Sequence, residues 1–227
     1  MIMYNELVLF AYTAVISGFA LACLRLGKEA LVAFVCVCCV FANLFVIKQI
    51  TLFGLTATAA DAFSVGAVFG LNLLQEYFGK DATQRAIWIN FLLLIFYALV
   101  SQLHLAYIPT GDDFSQIHFA PILTVMPRIV VASFVTYFIV QQVDSHLFGR
   151  LKQKIGNRSF VVRNSISVLA CQLLDTVLFT FFGLYGLMDN ILSIMVVSYV
   201  IKVAIMPRIF FKLSLICAKI TMVSFTE

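Results

Sequence analysis

Apolar residues in this chain come in long runs separated only by short polar loops: approximately Leu7–Leu24, Ala30–Ile47, Ala57–Phe78, Ala86–Ile108, Arg128–Phe148, Arg163–Leu187 and Ile191–Phe211. One helix needs about 20 apolar residues to cross a hydrocarbon core of about 30 Å, so about seven crossings consume the whole length. Only 11% of residues are charged and 63% are hydrophobic, where soluble domains carry roughly 25% charge. That balance excludes a soluble globular enzyme, a disordered chain and a nucleic-acid-binding module. The expected fold is all-α: a polytopic integral membrane helical bundle of about seven transmembrane helices, forming one domain over residues 1–227. The third run is the least typical. It carries Asp61, Ser64, Gly66, Gly70, Asn72, Gln75 and Glu76, and is expected to be irregular or broken.

Loop charges set an orientation by the positive-inside rule. One set of loops holds Arg25 and Lys28, then Lys80 and Arg85, then Arg150, Lys152, Lys154, Arg158 and Arg163, then the tail with Arg208, Lys212 and Lys219. The alternate loops hold Asp112, Asp113 and Asp189 instead. This predicts an external N-terminus, a cytoplasmic C-terminus and an odd number of spans. The start, Met-Ile-Met-Tyr-Asn-Glu, lacks the basic n-region of a cleavable signal, so the first run is expected to be a retained helix. All 6 cysteines lie in apolar runs. Cys36-x-Cys38-Cys39 has no His or acidic partner at zinc-site spacing, so neither a metal nor a disulfide is expected. Ala14, Gly18 and Ala22 put small residues at four-residue spacing on the first helix, a face suited to close packing or to homo-oligomer contact. The long external loop Pro109–Pro127 is a candidate lid.

Ionisable residues at membrane depth are costly and therefore mark function by default. Asp61, Glu76, Asp144, Asp175 and Lys202 are the candidates. Asp175 lies about 18 Å from the inner surface, counting from Arg163 at 1.5 Å per residue, and so is close to the midplane. Lys202 lies about 9 Å in, counting from Arg208, and is its obvious partner. For Glu76 and Asp144 a competing reading is an interfacial pair with Lys80 or Arg150. Gln141-x-x-Asp144-x-x-x-Phe148 matches Gln172-x-x-Asp175-x-x-x-Phe179, and each set falls on one helical face. Two such faces in neighbouring spans suggest one polar cavity, to which Asn43, Asn164, Ser133, Ser167, Thr176 and Tyr199 add hydrogen-bonding groups. Carboxylates and amides accept from paired N–H donors, and Phe148, Phe179 and Tyr199 can stack a flat ring. A small planar heterocycle with amine character fits this chemistry. No GxxxxGK[ST] or HExxH motif occurs, and no nucleophile or metal constellation of an enzyme is present.

At these residues the chain resembles the VUT family, the queuosine-precursor transporters. The likeness runs from about Gly27 to Pro207. It is carried by Asn43 through Lys48, Thr51-Leu52-Phe53-Gly54, Glu76-Tyr77-Phe78-Gly79-Lys80 with Arg85 and Trp88, and Pro127-Arg128 with Ser133. It continues through Asp144–Phe148, Arg163-Asn164, Ser167, Gln172, Asp175-Thr176 with Phe179, and Lys202. The resemblance implies a helical core preceded here by an extra N-terminal helix, in a bacterial inner-membrane carrier without cofactor. It implies import of 7-deazaguanine compounds (preQ0, preQ1 or queuine) for tRNA modification. The implied substrate-binding set is Asn43, Glu76, Asp144, Asn164, Gln172, Asp175 and Lys202. Lys48, Asp61, Asn72, Arg128, Gln141, Arg163, Phe179 and Tyr199 are supporting or gating candidates. Compared with the family pattern, the Asp61 and Asn72 side chains look exchanged, which leads to the expectation that one carboxylate in this helix suffices. A competing function is the substrate-binding membrane subunit of a larger, ATPase-driven vitamin-type importer.

Overall fold

Glycines with positive φ break the first half of the chain into antiparallel helices. In the computed structural model, which describes residues 2–155 and 160–205, α1 (Ile2–Leu26) and α2 (Lys28–Phe45) meet at Gly27, φ 110°. Likewise α3 (Asp61–Phe78) and α4 (Lys80–Leu105) meet at Gly79, φ 86°. A residue with a Cβ is disfavoured in that conformation, which is why glycine marks both breaks. The short helix α5 (Gln116–Leu123) follows, then α6 (Met126–Ile155) and α7 (Phe160–Phe179), which runs into a π-helical turn at Thr180–Leu184. Finally, α8 (Ile191–Val200) continues as π-helix through Ile201–Ile205. Among the described residues, Tyr4–Leu26, Lys28–Phe45, Lys80–Leu105 and Gln116–Val143 are long and apolar enough to cross a membrane, and Leu169–Leu184 and Ile191–Val203 are shorter apolar helices. The chain is a polytopic helical membrane protein.

The expected third span, Ala57–Phe78, is helical only from Asp61. Before it stands a β-hairpin, β1 (Gln49–Leu52) paired antiparallel with β2 (Leu55–Thr58), in register Gln49↔Thr58 through Leu52↔Leu55. Two residues make the turn, Phe53 at φ 52° and Gly54 at φ 79°, as a type I′ turn requires. A bulky residue in the left-handed region is unusual, and here the Phe53 N–H donates to the Glu6 carboxylate at 2.7 Å. Threonines at 51, 56 and 58 favour strand over helix. Backbone that is neither helical nor barrel-forming survives in a membrane protein only where protein covers it. The hairpin is so covered: it packs between α1 and α8, with Leu52, Ala57 and Thr58 buried. The Asn5 side chain donates to Thr51 O at 2.9 Å, and Thr56 N–H donates to Ser193 Oγ at 2.9 Å.

α3 is the hub, packed on α1, α2 and α4. Its close approach depends on Gly66 and Gly70. A Cβ built at Gly66 would stand 2.5 Å from Ile16 Cγ2, and one at Gly70 would stand 2.6 Å from Val35 Cγ2. Small residues at four-residue spacing thus do on α3 what they commonly do between membrane helices. On α1 the packed face is Leu9, Thr13, Ile16, Ser17 and Ala20, while Ala14, Gly18 and Ala22 are exposed. The segment expected as a lid holds α5, whose end is tied to α4 by the Gln102 side chain donating to Leu123 O at 2.8 Å. Cys23, Cys36, Cys38 and Cys39 are free thiols, and Cys217 lies outside the described residues.

Candidate functional site

The end of α7 and the start of its π turn face α8, and here the intramembrane charges meet. Lys202 Nζ lies 3.2 Å from Asp175 Oδ2. The lysine side chain is 12% exposed and the aspartate 37%, so the cation is the more buried partner and the carboxylate the reachable one. Asp61, the first residue of α3, comes to the same place and is only 4% exposed. The Ser198 hydroxyl, one turn before Lys202 on α8, donates to Asp61 Oδ2 at 2.9 Å. Lys202 also interacts electrostatically with Asp61. Two carboxylates therefore share one ammonium at the junction of α3, α7 and α8. Isolated, each charge would be prohibitively costly to bury; together they are partly compensated. The hairpin makes this possible, because it delays the start of α3 until Asp61 reaches α8.

These groups open into a cavity of about 240 Å³. Its charged side is formed by Asp61, Asp175, Ser198 and Lys202. A second, uncharged part of the lining comes from α2, α4 and α6: Asn43, Asn90, Phe91, Ser133, Thr136 and Tyr137. Asn43 is held in place, its amide donating to Cys39 O at 2.8 Å and its Oδ1 accepting from the Ser133 hydroxyl at 2.9 Å. Phe91 and Tyr137 meet edge to face at 4.9 Å between ring centroids, and Phe179 lines the cavity from α7. The volume is somewhat below the ~300–1,000 Å³ of drug-sized sites, so it suits one small ring system. Aromatic and amide walls with a charged end suit a planar, polar, amine-bearing molecule better than a lipid tail.

Of the residues expected in the site, Asn43, Asp61, Ser133, Asp175, Thr176, Phe179 and Lys202 line this cavity. Others lie elsewhere. Gln172 is half-buried outside the lining, its C=O accepting from the Thr176 hydroxyl at 2.9 Å. Glu76 and Asn72 are exposed further along α3. Asp61 and Glu76 are about four turns apart, too far to share a small cavity on a continuous helix. Lys48 is exposed at the base of the hairpin, where its C=O accepts from Ala59 N–H at 3.0 Å. Arg128 is exposed and donates to Phe182 O and Tyr185 O, capping the carbonyls of the π turn that ends α7. Tyr199 directs its hydroxyl to Leu169 O at 3.4 Å and is not in the lining. Gln141 is exposed on α6, and the part of α6 that lines the cavity is Ser133–Tyr137, nearer its start. The side chains of Asp144, Phe148, Arg163, Asn164 and Ser167 lie outside the described residues.

Among the lining residues that sequence reasoning missed are Asn90, Phe91, Thr136, Tyr137 and Ser198. An amide inside the apolar run Ala86–Ile108 was a legible signal for Asn90, because an amide is also costly to bury unpaired. Thr136 and Ser198 carried no such signal, since a helical hydroxyl ordinarily bonds its own backbone.

Comparison with known proteins is consistent with this architecture. Residues 58–211 match the family described as "Putative vitamin uptake transporter". The chain is 31% identical over 183 residues to the "Probable queuosine precursor transporter" of Bacillus subtilis (strain 168), covering 79% of this chain and 80% of that protein. No solved structure matches.

Proposed function

Because this chain belongs to the vitamin uptake transporter family, as a multi-pass membrane transporter, we propose that it imports queuosine precursors across the bacterial inner membrane for tRNA modification. The observation that carries the reading is the cavity with Asp61, Asp175 and Lys202 at one end and aromatic and amide walls at the other. A 7-deazaguanine base supplies a flat ring for those walls and N–H donors for their acceptors. In preQ1 and queuine it also supplies an amine for Asp175. The substrate crosses unaltered, so no catalytic residue is assigned. Lys202 pairs with Asp175 until substrate arrives, and the amine then takes over part of that pairing. Exchanging one buried cation for another avoids the cost of leaving a carboxylate unpaired. The orientation follows from loop charge: Arg25, Lys28 and Lys80 at the cytoplasmic end, Asp112, Asp113 and Asp189 outside. Glu76, Asn72 and Gln172 then belong to the inner half of the path, with Asp144 and Asn164 on the helices that flank it. The exposed Ala14/Gly18/Ala22 face is where a second copy would dock.

The test is uptake of labelled queuine and preQ1 by a bacterium lacking both its own precursor synthesis and its own transporter. Queuosine in tRNA is the readout, with surface expression measured. Wild type restores queuosine and Asp175→Asn does not. If well-expressed wild type restores none with either compound, the reading is wrong. Uptake by the purified chain in liposomes separates a self-sufficient carrier from a subunit that needs an ATPase.

A further inference from the structure

Two residues of the cavity lining carry polar atoms without partners. Asn90 Oδ1 on α4 and Thr136 Oγ1 on α6 are shut off from solvent and have no hydrogen bond among the described residues. Thr136 is 1% exposed. A helical Ser or Thr can return its hydroxyl to the carbonyl four residues back, and Ser101, Thr124 and Thr176 do so here. Thr136 does not. Asn90 interacts through its side chain with Cys39 of α2, yet its carbonyl oxygen remains unpaired. Both residues line the cavity. Their chain neighbours Phe91 and Tyr137 are in ring contact, which puts Asn90 and Thr136 at the same level of the α4–α6 contact. Buried polar atoms in native proteins are nearly always paired, so two unpaired ones at one level of a cavity wall mark where a ligand's donors belong.

We propose that Asn90 and Thr136, beside the Asn43–Ser133 pair, form a neutral subsite that accepts the N–H edge of a planar heterocycle. The Asp61–Lys202–Asp175 cluster is thereby left for a cationic arm of the same molecule. The division rests on the transport reading above and sharpens it. Among the described residues the charged lining is two carboxylates and one ammonium, an excess of one negative charge, which one substrate amine balances. A neutral wall suits the ring because the ring is the same in every precursor, while only some carry the amine.

The experiment is equilibrium binding of preQ0, whose substituent is a neutral nitrile, and of preQ1, whose substituent is an aminomethyl cation, to the purified chain in nanodiscs. Asn90→Leu and Thr136→Val each weaken both compounds by about tenfold, the worth of one hydrogen bond, and by a similar factor for each. Thr136→Ser recovers most of what Thr136→Val loses. Asp175→Asn weakens preQ1 much more than preQ0. Thr136→Val is isosteric, so it reports even if Asn90→Leu does not fold. Unchanged binding of both compounds in Thr136→Val and Asn90→Leu overturns the subsite while leaving the transport reading standing. Weakening confined to preQ1 in those variants also overturns it, since the wall would then be reading the arm. If wild type binds neither compound, the transport reading falls and the subsite with it.

Discussion

The two sides of the cavity treat buried polarity in opposite ways. On the side of α3, α7 and α8, the charged groups all have partners: Lys202 with Asp175, and Asp61 with the Ser198 hydroxyl. On the side of α4 and α6, Asn90 and Thr136 keep atoms unpaired. The first arrangement compensates buried charge and so holds three helices together. The second withholds compensation, which costs stability in the empty protein and is recovered only by a ligand. A wall that stabilises itself and a wall that waits for a partner should respond differently to mutation, and that contrast can be tested.

The largest effect is expected from Lys202→Met. It leaves two carboxylates sharing a site with no cation. Breaking a buried pair from one side costs about 3–5 kcal/mol, and the low end applies because Asp175 is 37% exposed. Thermal unfolding of the purified protein should show the loss, and Lys202→Met combined with Asp61→Asn should regain much of it by restoring the wild-type charge. No recovery in the double variant would mean that Lys202 acts through packing rather than charge.

Next comes Gly66→Ala, which probes how α3 carries Asp61 to α8. The added Cβ meets Ile16 Cγ2 at 2.5 Å, and overpacking of this kind costs about 1–3 kcal/mol. The melting temperature should fall, and Ile16→Ala in the same chain should return part of it. An unaffected Gly66→Ala protein would show that α1 yields easily and that the hub is looser than its geometry implies.

On the opposite wall the sign reverses. Thr136→Val removes an unsatisfied hydroxyl without changing shape, so the empty protein should be as stable as wild type or more stable by up to about 1 kcal/mol. Destabilisation comparable to that of Lys202→Met would erase the contrast between the two sides.

The smallest effect lies outside the membrane, at Asp113. Its carboxylate accepts from the Ser115 hydroxyl at 2.7 Å, the Gln116 N–H at 2.9 Å and the Ser115 N–H at 3.2 Å. The Ser115 hydroxyl foremost, then the two amides, hold its pKa below the ordinary value. A lowered folded-state pKa means the stabilisation is present above the unfolded value near pH 4 and is lost as pH falls through the folded value. Protection from hydrogen exchange at Ser115 and Gln116, taken relative to the intrinsic rate at each pH, should therefore fall only below about pH 4, and Asp113→Asn should remove that dependence. Protection that does not change with pH in wild type would show that the turn does not depend on the charge.

The run lengths made most helices legible, because spanning a bilayer requires about 20 apolar residues and leaves little freedom. The pairing of Asp175 with Lys202 was legible for the same reason, since counting residues along each run placed both inside their spans. The hairpin was not, since Gln49–Thr58 sits at the edge of two apolar runs and its threonines act only when α1 and α8 are there to cover a strand. Asp61 shows the limit well. Its sequence position suggested a supporting residue inside a span, and only the hairpin, by fixing where α3 begins, buries it against Ser198.

What the sequence determined by itself, then, is the membrane-spanning class, the order of most helices and the position of each costly residue along its run. These follow from local composition and from the fixed rise of a helix. What only the tertiary structure decided is which residues face each other. Asn90 and Thr136 are brought to one wall, Arg128 is committed to capping the π turn, and Glu76 is carried away from Asp61. Lateral packing sets these neighbours, and it depends on where small residues such as Gly66 and Gly70 let helices close, which no count along a single helix contains.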